Sequence, residues 1–252
     1  MHYFFVNEET LTEGSEVFLS REDLNHAYRV LRLKNGDHVV ISDGLGIAMQ
    51  GLVTLSTAER VVVKLIKQLP SGESPLHITL CQSMVKGDKF DLIVRQATEL
   101  GVKRIIPLLT ERSIPIHRSE QESKKLMRRL NKIRSAAAQC RRSELPALEK
   151  TYKLEALCRE IQGEIAIVPW EEEMNRSIDQ ILTQPCPISR AVFLIVGPEG
   201  GFTSAEIEAL IKAGANIVNL GPRILRSETA ACAVTAIIQG AWGDLSGKGE
   251  PV

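Results

Sequence analysis

The stretch Val192-Phe193-Leu194-Ile195-Val196-Gly197-Pro198-Glu199-Gly200-Gly201-Phe202 joins an unbroken apolar run to a glycine-rich turn. Such a run, without polar alternation, is typical of a strand that is buried on both faces in a parallel sheet covered by helices. The glycines and the proline then force a tight path and let a ligand approach the backbone closely. The stretch therefore predicts an α/β fold with a candidate binding site directly after a strand.

Four other apolar runs share this character and cover residues 78–84, 105–109, 165–168 and 217–220. Because they alternate with amphipathic helical patterns, they predict a parallel sheet wrapped by helices. Thr203 with Glu206 forms a capping-box pattern at the start of one such helix, and Gly214 marks its end. We therefore predict an α/β domain over residues 76–247.

The first 70 residues predict a different architecture, a small β-barrel with one helix. Short alternating strands are expected around residues 3–6, 16–19, 37–42, 47–55 and 60–67. Ser20 opens the single helix with a capping pattern. The stretch 70–75, which holds two prolines and a glycine, is typical of a linker. The predicted domains are therefore residues 1–70 and residues 76–247.

The overall composition excludes several classes of protein. Lys and Arg together number 31, as do Asp and Glu, so no net charge attracts a nucleic acid or a membrane to the whole molecule. A polyanionic partner must therefore be held by a local patch. The five cysteines are odd in number and form no Cys-x-x-Cys pair, which argues against a disulfide framework and against a zinc cluster. No metal site is expected.

The amino-terminal segment and the apolar runs bear on the cell compartment. Residues 1–9 lack the basic region of a secretion signal and turn acidic after a short apolar stretch. No apolar run approaches the roughly 20 residues that a membrane span requires. A cytoplasmic protein without a membrane partner is therefore predicted.

One local patch is strongly basic, because residues 124–142 hold eight cations and no carboxylate. Its apolar residues recur at helical spacing and are Leu126, Leu130, Ile133 and Ala137. They are predicted to form the buried stripe of a helix whose other faces are basic. Such a helix suits contact with nucleic-acid phosphates. His26, Arg29 and Arg32 add a smaller cationic edge to the helix of the first domain.

The candidate site lies where three of the predicted strands end, because ligands of open parallel sheets bind beyond the carboxyl ends of the strands. The turn after residues 217–220 holds Arg223 and Arg226, followed by Ser227 as a predicted N-cap and Glu228 in the first helical turn. The glycine-rich turn matches neither G-x-G-x-x-G nor the G-K-[ST] ending of a phosphate loop. A site for ATP or NAD is therefore disfavoured.

Phe193–Phe202, followed by the stretch Leu220–Ala230, resembles the signature of the RsmE family of small-subunit rRNA uridine-N3 methyltransferases, within the SPOUT superfamily. The likeness continues through Lys86-Gly87-Asp88, residues 97–102, residues 107–113, and His26 with Val30-Leu31-Arg32. It implies an α/β fold in which a PUA-like RNA-binding β-barrel precedes a SPOUT-type parallel sheet with a carboxyl-terminal trefoil knot. It also implies a homodimer with the active site at the subunit interface.

The resemblance further implies that S-adenosylmethionine binds bent in the knot, against three loops. The residues of these loops are Val168, Pro169, Leu194, Val196, Gly197, Pro198, Glu199, Gly200, Gly201, Leu220, Gly221, Ile224, Leu225, Thr229 and Ala230. Methylation of uracil N3 requires loss of the imide proton, and charge then develops on the flanking carbonyl oxygens. A fixed cation there would stabilise the transition state, and Arg226 is our hypothesis for it. Glu228 is the candidate for accepting the proton or for orienting the arginine.

The substrate implied by the resemblance is a specific uridine of 16S rRNA, on the assembled small ribosomal subunit. The candidate RNA contacts are His26, Arg29, Arg32, Lys125, Arg129, Gln139 and Arg142. Three alternatives stay open at this stage. They are a knotted methyltransferase that acts on another RNA, a non-catalytic RNA-binding or assembly factor, and a nucleotide-dependent enzyme.

Overall fold

The computed structural model of the protein describes residues 1–7, 10–113 and 120–247, and these form two compact units. The first unit holds Met1–Glu73 together with Arg134–Leu145. The second holds Ser74–Ile133 and, among the described residues, 146–247. The predicted domains, residues 1–70 and 76–247, are each continuous, whereas the structure groups one later segment with the first unit. The boundary between Glu73 and Ser74 falls inside the linker stretch.

A five-stranded mixed sheet forms the first unit. Its elements are β1 (His2–Phe5), β2 (Glu16–Phe18), α1 (Arg21–Asn25), a π-helical turn (His26–Val30), β3 (His38–Ser42), β4 (Ala48–Ser56) and β5 (Val61–Gln68). The strand order is β1-β3-β4-β5-β2, with β1 parallel to β3 and the other neighbours antiparallel. Ser20 begins α1 as expected, because its hydroxyl accepts a hydrogen bond from Asp23 N. Closure of this sheet into a barrel stays a prediction.

Buried polar contacts explain why Arg134–Leu145 belongs to the first unit. The Glu73 carboxylate accepts hydrogen bonds from Arg142 Nε at 3.0 Å and from the backbone N–H groups of Ser143 and Glu144 at 2.9 and 3.0 Å. The side chains of Glu73 and Arg142 are each only 7% exposed. Arg134 Nη2 also donates to Phe5 O at 2.9 Å. Removing one partner of a buried, hydrogen-bonded ion pair is costly, because the other charge is left buried and uncompensated.

A seven-stranded sheet forms the second unit, and every recorded pair in it is parallel. Its strands are β6 (His77–Ser83), β7 (Arg104–Leu109), β8 (Ala147–Leu148), β9 (Tyr152–Lys153), β10 (Ile165–Pro169), β11 (Ala191–Val196) and β12 (Asn216–Val218). The order is β12-β10-β11-β6-β7, and both β8 and β9 pair with β7. The five apolar runs are thus strands of one sheet, which confirms the predicted parallel α/β fold.

Helices cover the sheet, as its apolar strands require. They are α2 (Lys89–Glu99), α3 (Glu120–Cys140), α4 (Leu154–Glu160), α5 (Asp179–Leu182), α6 (Ser204–Lys212) and α7 (Ser227–Trp242). Central strand residues such as Leu80, Ile106 and Leu194 are fully buried. The predicted capping box is present at α6, where Thr203 and Glu206 bond each other's backbone N–H. Within residues 1–7, 10–113 and 120–247, no helix combines the length and apolar character needed to cross a membrane.

The chain path creates a switch point at one edge of the second sheet. From β10 the chain moves to β11 on one side, and it then passes β10 to form β12 on the other side. Loops that leave neighbouring strands in opposite directions open a crevice at the carboxyl edge, where ligands of α/β proteins bind. The fold therefore places the turns after β10, β11 and β12 at the position that favours a binding site.

Candidate active site

A cavity of about 410 Å³ lies between the turns that follow β10 and β12. This volume is within the range of small-molecule sites. The predicted donor-binding residues that line it are Pro169, Leu220, Gly221, Ile224, Leu225 and Ala230. The wall also holds the Trp170 indole, whose Nε1 is buried and finds no acceptor among the described residues. A ligand with a hydrogen-bond acceptor would satisfy that donor.

The glycine-rich turn after β11 lies beside this cavity through Glu171, which is part of the cavity wall. Gly201 has a φ of +69°, a left-handed conformation that favours glycine, and it lies against the Glu171 carboxylate. Arg112 Nη1 donates to Gly200 O at 2.8 Å, and its side chain covers that glycine. The turn is thus contacted by Arg112 at Gly200 and by Glu171 at Gly201.

The other predicted donor-binding residues occupy two kinds of environment. Val168, Leu194 and Val196 are strand residues with buried side chains, so only their backbone groups could face a ligand. Gly197 is half-buried and Pro198 is buried, directly after β11. Glu199, Gly200 and Thr229, in contrast, are exposed.

A chain of hydrogen bonds connects the glycine turn to the start of α7. Ser227 Oγ donates to Gly197 O at 2.6 Å, and Gln82 Nε2 donates to Ser227 Oγ at 2.9 Å. Because the single Ser227 proton goes to the carbonyl, Gln82 must supply its amide N–H rather than its oxygen. The N-cap of α7 is Arg226, with Ser227 as the first helical residue. The prediction of Ser227 as N-cap was therefore wrong, because its hydroxyl serves a distant turn instead.

Lys89 and two carboxylates form a charged cluster at the same edge. Lys89 Nζ lies 3.1 Å from Glu199 Oε1 and 3.6 Å from Glu228 Oε1. Burial raises the pKa of Glu199, but hydrogen bonds from Lys89 and from backbone N–H groups outweigh burial and hold that pKa below its usual value. Glu228 forms no recorded ion pair with Arg226 in the described part of the chain, and Arg226 itself is exposed. Lys89 and Gln82 were not predicted as site residues, because their partners are far away along the chain.

The basic helix α3 differs in part from its expectation. Ile133 and Ala137 are buried as predicted, but Leu126 is 44% exposed, so the apolar stripe does not extend along the whole helix. Three of the helix's cations instead face Asp91 of α2, a carboxylate that is only 3% exposed. These cations are Arg128 at 2.8 Å, Arg129 at 3.5 Å and Lys132 at 4.0 Å. A buried carboxylate can compensate nearby cations in this way. The charge count over residues 124–142 did not reveal this compensation, because Asp91 lies outside that segment.

The remaining candidate RNA contacts differ in their exposure. Lys125 and Gln139 are exposed on α3, whereas Arg129 stacks on the Phe90 ring, with its guanidinium carbon 4.2 Å from the centroid. Arg142 is buried against Glu73, so its guanidinium has a structural partner. His26, Arg29 and Arg32 are exposed on and just after the π-helical turn. Such turns occur often at functional sites.

Known proteins match both units of the chain. The family model described as the RNA methyltransferase domain matches residues 72–239, and the model described as the RNA methyltransferase PUA domain matches residues 19–66. The ribosomal RNA small subunit methyltransferases E of Buchnera aphidicola subsp. Acyrthosiphon pisum and of Mycobacterium bovis are each 30% identical to the chain. The alignments cover 94% and 93% of this chain and 92% and 88% of those proteins.

Solved structures agree with these matches. The ribosomal RNA small subunit methyltransferase E of Neisseria gonorrhoeae, bound to S-adenosylmethionine, superposes with a TM-score of 0.87 at 31% identity over 97% of this chain and 99% of that one. A Legionella pneumophila protein solved with the same cofactor gives 0.86 at 32% identity, covering 96% and 98%. Fold, site and matched domains define the protein as an RNA methyltransferase. Within that class, the chain belongs to the ribosomal RNA small subunit methyltransferase E family.

Proposed function

We propose that the protein transfers a methyl group from S-adenosylmethionine to N3 of one uridine of 16S rRNA, uridine 1498 in the usual numbering, on the assembled small ribosomal subunit. The observation that carries the proposal is the cavity at the switch point of the second sheet, in a chain of this family. The glycine turn and the start of α7, which hydrogen bonds join, border the same edge.

The residues of the cavity suit a methyl donor that carries no phosphate. Leu220, Ile224 and Leu225 give an apolar wall, and the Trp170 indole N–H offers a hydrogen bond that nothing in the described chain accepts. The loops formed by residues 168–170, 194–201 and 220–230 would hold the donor, with the residues named in the sequence analysis as its contacts.

When bound, S-adenosylmethionine supplies an electrophilic methyl group on its sulfonium. The protein must then position uracil and manage one proton. In the reaction the N3–H bond breaks, the proton goes to Glu228, and the electron pair on N3 forms the new bond to carbon. The bond from the methyl carbon to sulfur breaks with its pair left on sulfur. Arg226, which is exposed at the start of α7, would stabilise the negative charge on the uracil oxygens. Glu228 would hold the proton until solvent removes it.

The proposed RNA contacts are mostly cations. They are Lys125, Arg129 and Gln139 on α3, and His26, Arg29 and Arg32 near the π-helical turn. Arg142 would act indirectly, by fixing the segment Arg134–Leu145 through Glu73. Because each contacted phosphate releases counterions, this binding should depend strongly on salt.

The carboxyl-terminal trefoil knot and the homodimer are parts of the same proposal. After β12 the chain returns to the glycine turn of β11, where Ser227 bonds Gly197 O. A return of this kind, following a crossing connection, is a path that a knot requires. We propose that two copies of the chain complete the site, and sedimentation of the purified protein tests this by its mass.

A methylation assay with labelled S-adenosylmethionine tests the proposed function. Its substrates are naked 16S rRNA, purified small subunits and whole ribosomes, each from a strain that lacks the corresponding enzyme. We expect the small subunit to be modified fastest, and mass mapping to place N3-methyluridine at position 1498. Modification of another RNA would indicate a related methyltransferase. Failure to bind S-adenosylmethionine by calorimetry would indicate an assembly factor instead.

A further inference from the structure

Lys89, the first residue of α2, lies between two carboxylates from separate turns of the site. Its Nζ is 3.1 Å from Glu199 Oε1 and 3.6 Å from Glu228 Oε1. Glu199 belongs to the glycine turn after β11, and Glu228 belongs to the first turn of α7. One ammonium group thus connects the turn proposed to hold the methyl donor with the residue proposed to accept the proton.

The two oxygens of Glu228 have different surroundings. Oε1 faces Lys89, whereas Oε2 is buried and accepts no hydrogen bond from any described residue. A buried acceptor without a hydrogen bond destabilises the folded protein. Such an atom in a native structure calls for an explanation, and arrival of a donor with the substrate is one. The imide N–H of uracil is a donor of the required kind.

We propose that Lys89 is a positioning residue for proton transfer. It holds Oε1 of Glu228 so that Oε2 remains free to accept the proton from N3 of uracil. This inference rests on the proposed function and adds a residue to its machinery. Lys89 touches neither of the reacting atoms in this assignment, because it acts through the carboxylate.

Lys89 also separates two like charges. Its ammonium group lies within 3.1 Å of Glu199 Oε1 and 3.6 Å of Glu228 Oε1, so it offsets the repulsion that the two carboxylates would otherwise exert on each other.

The test compares Lys89→Met and Lys89→Arg with wild type in the small-subunit assay, with kcat and KM measured across the neutral pH range. We expect Lys89→Met to lower kcat about 10- to 100-fold, a part of the roughly 10²- to 10⁴-fold that a general base supplies, because Glu228 is kept but is no longer held in place. KM for both substrates should stay within about threefold, and Lys89→Arg should recover most of kcat because it keeps the charge.

Two further measurements separate positioning from a structural role. Arg95→Met removes an exposed cation from the same helix and should behave as wild type. In a Glu228→Gln background, Lys89→Met should change kcat by less than about twofold, because both changes act on one step. Unfolding temperatures identify any variant that is misfolded, and Lys89→Gln replaces Lys89→Met if the latter does not fold.

The outcomes distinguish this inference from the function beneath it. An inactive wild type would refute the proposed function. An active wild type with an unchanged kcat in Lys89→Met would overturn the role of Lys89 alone. A loss confined to KM for S-adenosylmethionine would also overturn it, because Lys89 would then serve the glycine turn through Glu199.

Discussion

Arg226 occupies the N-cap position of α7, but its side chain makes no capping hydrogen bond. Ser, Thr, Asp and Asn are strongly preferred at that position, and lack of a cap typically costs about 1 kcal/mol. Helix stability therefore does not account for an arginine here. Arg226 is exposed and forms no ion pair with Glu228 that is recorded among the described residues, which suits a role toward a substrate.

Substitution of Arg226 by alanine should separate catalysis from binding. We expect Arg226→Ala to lower single-turnover methylation about 10²- to 10³-fold, the usual effect of removing one transition-state donor. RNA affinity and donor affinity should change little, and Arg226→Lys should be intermediate because it keeps the charge without the planar fork. Filter binding measured alongside turnover checks this. A parallel loss of RNA affinity would make Arg226 an RNA anchor.

The lowered pKa of Glu199 predicts a dependence of stability on pH. The folded chain favours the ionised carboxylate, since the bonds from Lys89 and the backbone outweigh burial. The stabilisation is therefore present above the unfolded pKa of about 4.3 and is lost as the pH falls through the folded value. Thermal unfolding from neutral to acidic pH should show a smaller decline for Glu199→Gln than for wild type. Glu208→Gln, an exposed change on α6, should follow wild type.

At the scale of elements, the strands of the second sheet could be predicted because each is a continuous apolar run. The run 192–196 corresponds to β11, Ala191–Val196, and the Thr203 capping box begins α6. The strands β8 and β9 were not predicted, because each has only two residues, which is too short for a periodic pattern. The apolar stripe of α3 was only partly right, since the burial of each face depends on which neighbours the helix meets.

The anchoring of α7 leads to a prediction about Ser227. Ser227→Ala removes the donor to Gly197 O and leaves a Gln82 amide hydrogen unpaired in a buried place. We expect a loss of about 1–3 kcal/mol in the free energy of unfolding and a raised Kd for S-adenosylmethionine, with RNA affinity unchanged. Chemical denaturation and calorimetry measure these two quantities. Ser204→Ala, the exposed first residue of α6, is the matched control and should alter neither.

At the scale of the whole molecule, the sequence motifs located the three turns, but they did not show how side chains connect them. Gln82 and Ser227 are 145 positions apart, and Lys89 and Glu199 are 110 apart. Local patterns carry no information about such pairs, since only the folded sheet brings them together. Asp91 could not be predicted as a partner of α3 for the same reason. It is buried against α3, and its negative charge offsets part of the positive charge of a helix that has no carboxylate from residue 124 onward.

The charge balance of α3 predicts which of its cations control RNA binding. Arg128 and Arg129 lie within ion-pair distance of Asp91, whereas Lys125 is exposed and has no ion pair recorded among the described residues. A cation that is not already compensated displaces more counterions when it meets a phosphate. Lys125→Ala should therefore reduce the slope of log K against log salt by about 0.7–0.9, and Arg128→Ala should reduce it by less. Titrations of small subunits at several salt concentrations measure both slopes, and equal slopes for Lys125→Ala and wild type would remove Lys125 from the RNA interface.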